Sequence, residues 1–104
     1  MKRCVFTTPI YYLNGEPHIG HAYTSMVTDA LARFKRFDGY DVHFCTGTDE
    51  HGIKVARSAE KAGMEVQKFC DMMSDKFRHM SKVMNVSYDD FIRTTEPRHI
   101  KAAQ

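Results

Sequence analysis

Pro9-Ile10-Tyr11-Tyr12-Leu13-Asn14-Gly15-Glu16-Pro17-His18-Ile19-Gly20-His21 is the stretch on which the reading of the chain turns. It leaves a short apolar run, turns through Asn14-Gly15, and sets two histidines around a glycine where helical spacing begins. The first N–H groups of a helix lack an internal partner and carry about half a positive charge. A glycine there lets an anion approach the backbone closely. His18 and His21 fall on one face of the first turn, so both imidazoles can donate hydrogen bonds to a single triphosphate. An isolated His-x-x-His would be read as an ordinary helix start. The fuller His-x-Gly-His pattern arises by chance about 1 % of the time or less in a chain this size.

Around this stretch the elements alternate. Cys4-Val5-Phe6-Thr7 is a short run with apolar residues on both faces, the pattern of a strand in a parallel sheet, and Pro9 ends it. From His18 to Phe37, apolar residues at Ile19, Tyr23, Met26, Val27, Ala30, Leu31 and Phe34 predict a helix with one stripe against a sheet. Arg33, Lys35 and Arg36 suit its last turn, and Gly39 is a natural stop. Tyr40 to Thr46 alternates and reads as a second strand, leading into Gly47-Thr48-Asp49-Glu50-His51-Gly52. Strand, crossover helix and strand make a βαβ unit, which places both loops at the carboxyl ends of parallel strands, where open α/β sheets bind ligands. Helices are predicted over 53–62, stopped by Gly63, and over 64–85, with a third strand at Phe91-Ile92-Arg93-Thr94 and a helix start at Glu96-Pro97-Arg98. The chain stops inside that last helix, an expectation of further protein beyond it.

Taken together, His18-Ile19-Gly20-His21, the Pro-Ile-Tyr-Tyr run before it, Thr46 to Gly52, and Tyr88-Asp89-Asp90-Phe91-Ile92-Arg93-Thr94-Thr95 resemble the methionyl-tRNA synthetases. These are class I aminoacyl-tRNA synthetases whose nucleotide signature is called HIGH. The resemblance runs from about Val5 to the chain end, and the Thr46–Gly52 loop is especially like the bacterial and organellar branch. It implies the first half of a Rossmann-like class I nucleotide-binding fold, residues 1–104 being the amino-terminal half of a catalytic domain. The second half and the anticodon-binding domain are absent from this sequence. It further implies ATP-dependent activation of methionine to methionyl-adenylate and transfer to tRNA(Met), with ATP and Mg2+ as substrate and no zinc site in this chain. The remaining half of the catalytic domain would be the chain's partner. Alone, the chain is expected to be nearly inactive and to be weakly stable or self-associating, because half a parallel sheet leaves an unpaired edge and an uncovered face.

The residues carry distinct expectations. In adenylate formation a carboxylate attacks the α-phosphorus of ATP and pyrophosphate leaves, so the site must align two anions and aim donors at charge growing on the phosphorus oxygens. His18 and His21 suit that role as donors. Gly20 would let adenine or ribose lie against the backbone. Asn14 is a candidate to reach the ATP or else a turn residue. Asp49, at a strand end, can bind a substrate ammonium through a charge-assisted hydrogen bond, or cap the next helix. In the methionyl enzymes the matching position contacts the amino group. Ile10 and Tyr12 flank the strand end where an apolar side chain would rest, and an aromatic face beside a thioether is favourable. The matching family residues line the methionine pocket. His51 joins that set, lining the adenine side or stabilising the loop. Glu50 is expected to be a solvated neighbour or to support the site residues from behind, and Tyr11 and Leu13 to face the core.

Composition bounds the rest. With 104 residues, 42 % hydrophobic and 27 % charged, the chain is one globular domain that buries roughly 60–65 % of its unfolded surface. A net charge of +2 does not argue for a nucleic-acid groove. Cys4, Cys45 and Cys70 support neither a disulfide framework nor a zinc ribbon, and read as free thiols of a cytoplasmic chain. No run approaches membrane-spanning length, so no membrane partner is expected. His79-Met80-Ser81-Lys82-Val83 superficially matches the second ATP motif of class I synthetases, Lys-Met-Ser-Lys-Ser, but sits within helical spacing and is read as packing. The methionines from Met64 to Met84 are read as core filler. Three other readings stay open: another class I synthetase, such as the isoleucyl or cysteinyl enzyme; a nucleotidyltransferase of related fold; and a non-catalytic half-domain that docks another chain.

Overall fold

The computed structural model describes all residues, Met1–Gln104. Its elements are β1 (Arg3–Thr7), β2 (Tyr11–Tyr12), α1 (Ile19–Phe37), β3 (Asp41–Asp49), α2 (Ile53–Lys61), α3 (Val66–Val83), β4 (Asp90–Arg93) and α4 (Pro97–Ala103). The expected strands and helices are present, with β2 in addition. The four strands form one sheet in which β3 pairs in parallel with each of the others.

The register explains β2. Thr7 pairs with Cys45 and Tyr11 with Thr48, so three residues of the first segment, Thr8, Pro9 and Ile10, lie opposite two of β3. Cys45 and Thr48 also pair with Asp90 and Arg93 of β4. Since a strand has only two edges, β1 and β2 share one edge of β3 and β4 holds the other. β1 and β2 are thus one strand line broken by a bulge at Pro9, which has no N–H for the ladder. Gly47 in β3 is required by β4: a Cβ there would lie 2.0 Å from the Ile92 carbonyl oxygen.

One face of the sheet carries the core. Phe44, Thr46 and Thr48 are buried on that side, and Thr48 Oγ1 lies 3.2 Å from Ser74 Oγ of α3. Tyr11, Leu13, Val55, Ala59, Phe69, Cys70, Met73, Phe77 and Phe91 form a single cluster there. Tyr11 stacks on Phe77 with ring centroids 5.5 Å apart, and its hydroxyl lies 2.7 Å from Ser25 Oγ of α1. By strand alternation the other face bears Val5, Thr7, Tyr12, His43, Cys45 and Asp49. Val5 is 68 % exposed, and the chain measures 49 × 33 × 16 Å, a slab too thin for a second helix layer.

Helix α1 lies on the sheet with a face other than the one expected. Ser25, Asp29 and Ala32, at helical spacing, are its buried residues. The apolar stripe predicted to pack inward is largely in solvent, with Ile19 86 % and Phe34 61 % exposed and Tyr23, Met26, Val27, Ala30 and Leu31 exposed as well. Small residues permit close approach of helix to strands. Asp29 also makes its burial tolerable by accepting from the Ser87 N–H (2.8 Å), Ser87 Oγ (2.5 Å) and Arg33 Nε (2.8 Å). Burial pushes the Asp29 carboxyl up, but the bonds from Ser87 and Arg33 outweigh it and hold the group below its ordinary value. The ends of the helices follow the expected stops, with Gly39 and Gly63 at φ 87° and 70°. No helix is long and apolar enough to cross a membrane.

Candidate functional site

The site begins with a helix cap made of histidine. His18 is the N-cap of α1, with extended backbone at φ −134°. Its Nδ1 accepts from the Gly20 N–H at 3.0 Å, and its own N–H donates to His21 Nδ1 at 3.0 Å. Each ring therefore spends Nδ1 as an acceptor. In the neutral imidazole the proton must then sit on Nε2, so the cap fixes both tautomers and leaves two Nε2–H donors. The rings lie 4.0 Å apart, centroid to centroid. The anion site expected at this helix start includes backbone N–H groups beside Gly20. In the folded chain the Gly20 N–H is already bound to His18, so that donor is spent and the imidazole Nε2–H groups add to what the first turn offers an anion.

Gly20 also has a local reason. A Cβ there would lie 2.8 Å from His18 Cε1 and 3.0 Å from His18 Nδ1. The glycine makes room for the folded-back ring. Gly20→Ala should gain roughly 1 kcal/mol of helix propensity and lose a similar amount of capping, leaving the melting temperature within a few degrees. The His18 ring would be displaced, so its ring-proton NMR signals should shift while the thermal melt stays nearly unchanged.

His21 is half-buried, edge-on to Tyr11 (5.0 Å) and Phe77 (4.8 Å). That burial, followed by repulsion from His18, lowers its pKa below the ordinary 6.5. The folded state then binds the proton less readily than the unfolded chain. The cap contributes fully above pH ~6.5 and is lost as pH falls through the lowered value, because a protonated Nδ1 cannot accept the His18 N–H. Hydrogen exchange at the first turn of α1 should accelerate on acidification over that range, beyond the intrinsic dependence of unstructured amides, and His21→Ala should remove the effect.

Two cavities meet at the carboxyl end of β2. One, of about 420 Å³, brings together Ile10, Tyr12, Asn14, His18, Gly20 and His21. The other, of about 620 Å³, shares Tyr12 and Asn14 and adds His51 with Gly52 to Val55. Asp49 lines neither. It is the register partner of Tyr12, on the same open face of the sheet, and its Oδ1 accepts the His51 N–H at 3.2 Å. His51 is exposed, with Nε2 3.2 Å from the Thr94 carbonyl, which ties down the loop. Tyr11 and Leu13 are core, as expected. The second-motif look-alike, 79–83, is helical within α3.

Of the two positions expected for Glu50, the structure shows the supporting one rather than the solvated one. It is 3 % exposed, and Arg93 grips both its oxygens, Nε to Oε2 at 2.6 Å and Nη2 to Oε1 at 2.7 Å. Thr48 and Thr95 hydroxyls donate to the same carboxylate, and Asp71 accepts from Arg93 at 2.5 Å. These bonds raise the Arg93 pKa, that to Glu50 most. Strand alternation decides between the two: Asp49 and Glu50 are adjacent, so only one can face the site.

A parallel sheet joined by crossover helices, with its loops gathered at the carboxyl ends of the strands, is a Rossmann-like layer of the class I synthetase type. Residues 4–104 match the family described as tRNA synthetases class I (M), and the chain belongs to that family. It is 56 % identical over 98 residues to the methionine–tRNA ligase of Thermotoga maritima, covering 94 % of this chain and 16 % of the relative. With the Rickettsia felis methionine–tRNA ligase it shares 60 % over 96 residues, covering 92 % and 19 %. A solved structure of Mycobacterium tuberculosis methionyl-tRNA synthetase with methionyl-adenylate superposes with a TM-score of 0.97 at 51 % identity, over 99 % of this chain and 20 % of that one. The chain thus spans at most a fifth of the length of these proteins.

Proposed function

We propose that the chain supplies the HIGH-bearing amino-terminal half of the catalytic domain of a methionine–tRNA ligase. In that reading methionine is activated by ATP to methionyl-adenylate and then transferred to tRNA(Met). The observation that carries the proposal is the pair of Nε2–H donors at the start of α1, sharing a cavity with Tyr12, whose register partner is Asp49. Methionine's thioether would rest on Tyr12 beside Ile10, and its ammonium would bind Asp49, with His51 closing the loop side. Its carboxylate then faces the α-phosphorus of an ATP lying over Gly20 and Asn14. As the carboxylate oxygen bonds to phosphorus and pyrophosphate departs, His18 and His21 donate to oxygens whose negative charge is growing. Neither histidine gains or loses a proton. Mg2+ enters with the triphosphate as part of the substrate, and no zinc site is proposed within the chain. A reducing cytoplasmic location fits the three free thiols.

The exposed stripe of α1 and the open sheet face are the surfaces the rest of the catalytic domain would cover, so the isolated chain should be nearly inactive and should self-associate. The test places the whole chain in the Thermotoga maritima ligase in exchange for its matching segment. Methionine-dependent pyrophosphate exchange well above that with isoleucine or cysteine is the expected result. A folded chimera that adenylates none of these amino acids, or one that prefers another, overturns the proposal.

A further inference from the structure

The loop carrying Asp49 and His51 takes its anchors from the end of β4. The Glu50 N–H donates to Thr94 Oγ1 at 2.8 Å, and Thr95 Oγ1 donates to Glu50 Oε1 at 3.0 Å. His51 Nε2 meets the Thr94 carbonyl at 3.2 Å, and the Arg93 fork holds the Glu50 carboxylate. Arg93 is fixed in turn by Asp71 on α3. Asp49 spends one oxygen on the His51 N–H, and the other accepts no hydrogen bond within the chain. Asp49 and Glu50 share a peptide and leave it on opposite faces, so the backbone that the Glu50 anchors hold is the one that aims the Asp49 carboxylate. His18 and His21 make no hydrogen bond to any of these residues, and His21 meets α3 through the Phe77 ring. Their cap is local to α1.

We infer that Arg93, backed by Asp71, is a positioning residue for the amino-acid half of the site, directing the Asp49 carboxylate at the substrate ammonium while leaving the nucleotide half to the histidine cap. The inference rests on the function proposed above. An ion pair that served stability alone would weaken both halves together. A positioning pair separates them, since a charge-assisted hydrogen bond depends steeply on alignment and Asp49 makes one only to the amino acid.

The experiment uses the chimera already described, with pyrophosphate exchange measured against methionine and ATP separately. Asp71→Ala frees the outer side of Arg93 without leaving a buried charge unpaired, so the protein should fold. Arg93→Lys keeps the charge and loses the fork. Each should raise the KM for methionine about tenfold and leave the KM for ATP within about twofold, and Asp71→Glu should restore the methionine value. If Arg93→Lys does not fold, Asp71→Ala and its rescue decide. Constants that move together, or that do not move in folded protein, overturn the positioning role while an active parent chimera leaves the functional proposal intact. A folded but inactive parent chimera overturns both.

Discussion

Replacing His18 or His21 with alanine in the chimera is expected to slow methionine activation by about 10²–10³-fold, the usual cost of removing one preorganised donor from a transition state. At ~2.7–4 kcal/mol this exceeds the ~1 kcal/mol of a lost helix cap, so the two roles can be told apart by size. They can also be separated by chemistry. His18 caps α1 through Nδ1, and asparagine is among the best N-cap residues. His18→Asn should therefore hold or raise the melting temperature while still losing the rate, because its short amide cannot reach where the Nε2–H stands. A His18→Asn protein with near-parental exchange would reduce the histidine to a cap. The decrease should fall on kcat more than on KM for ATP, since the donors meet charge that grows only as pyrophosphate departs.

The fold was largely legible because its periods are regular, and its departures share one cause. Parallel strands, crossover helices and the stops at Gly39 and Gly63 follow from local patterns that no partner alters. Alternation likewise put Tyr11 and Leu13 inside and Tyr12 outside. The site residues from Ile10 to His21 fell together because a turn and a helix start are local as well. What failed depended on contacts distant in sequence. The inner face of α1 is Ser25, Asp29 and Ala32, and the buried Asp29 is acceptable only because Ser87, 58 residues away, completes its hydrogen bonds. The Pro9 bulge and β2 become visible only when β3 supplies the register. The choice between a solvated and a supporting Glu50 stays open in the sequence because Arg93, its counter-ion, lies 43 residues on with no periodic link.

That ion pair sets the largest expected effect on folding. Glu50 is buried, Arg93 mostly so, and the two form a bidentate bridge joining the end of β3 to β4. Burying two charges costs several kcal/mol each, which their attraction and the bonds from Thr48 and Thr95 offset. Removing one partner keeps the cost and forfeits the return. Glu50→Ala should accordingly destabilise the protein by about 3–5 kcal/mol, toward the lower figure because Asp71 still accepts from Arg93. For a domain that begins with roughly 5–15 kcal/mol, that is enough to leave a substantial fraction unfolded. Removing both charges together is a different matter, since apolar groups of similar volume often replace a buried pair at little cost. The double variant Glu50→Leu with Arg93→Met should thus be more stable than Glu50→Leu alone, a coupling that urea unfolding of the parent, the two single variants and the double variant measures directly. Strictly additive losses would mean that each residue acts through separate neighbours and that the bridge itself contributes little.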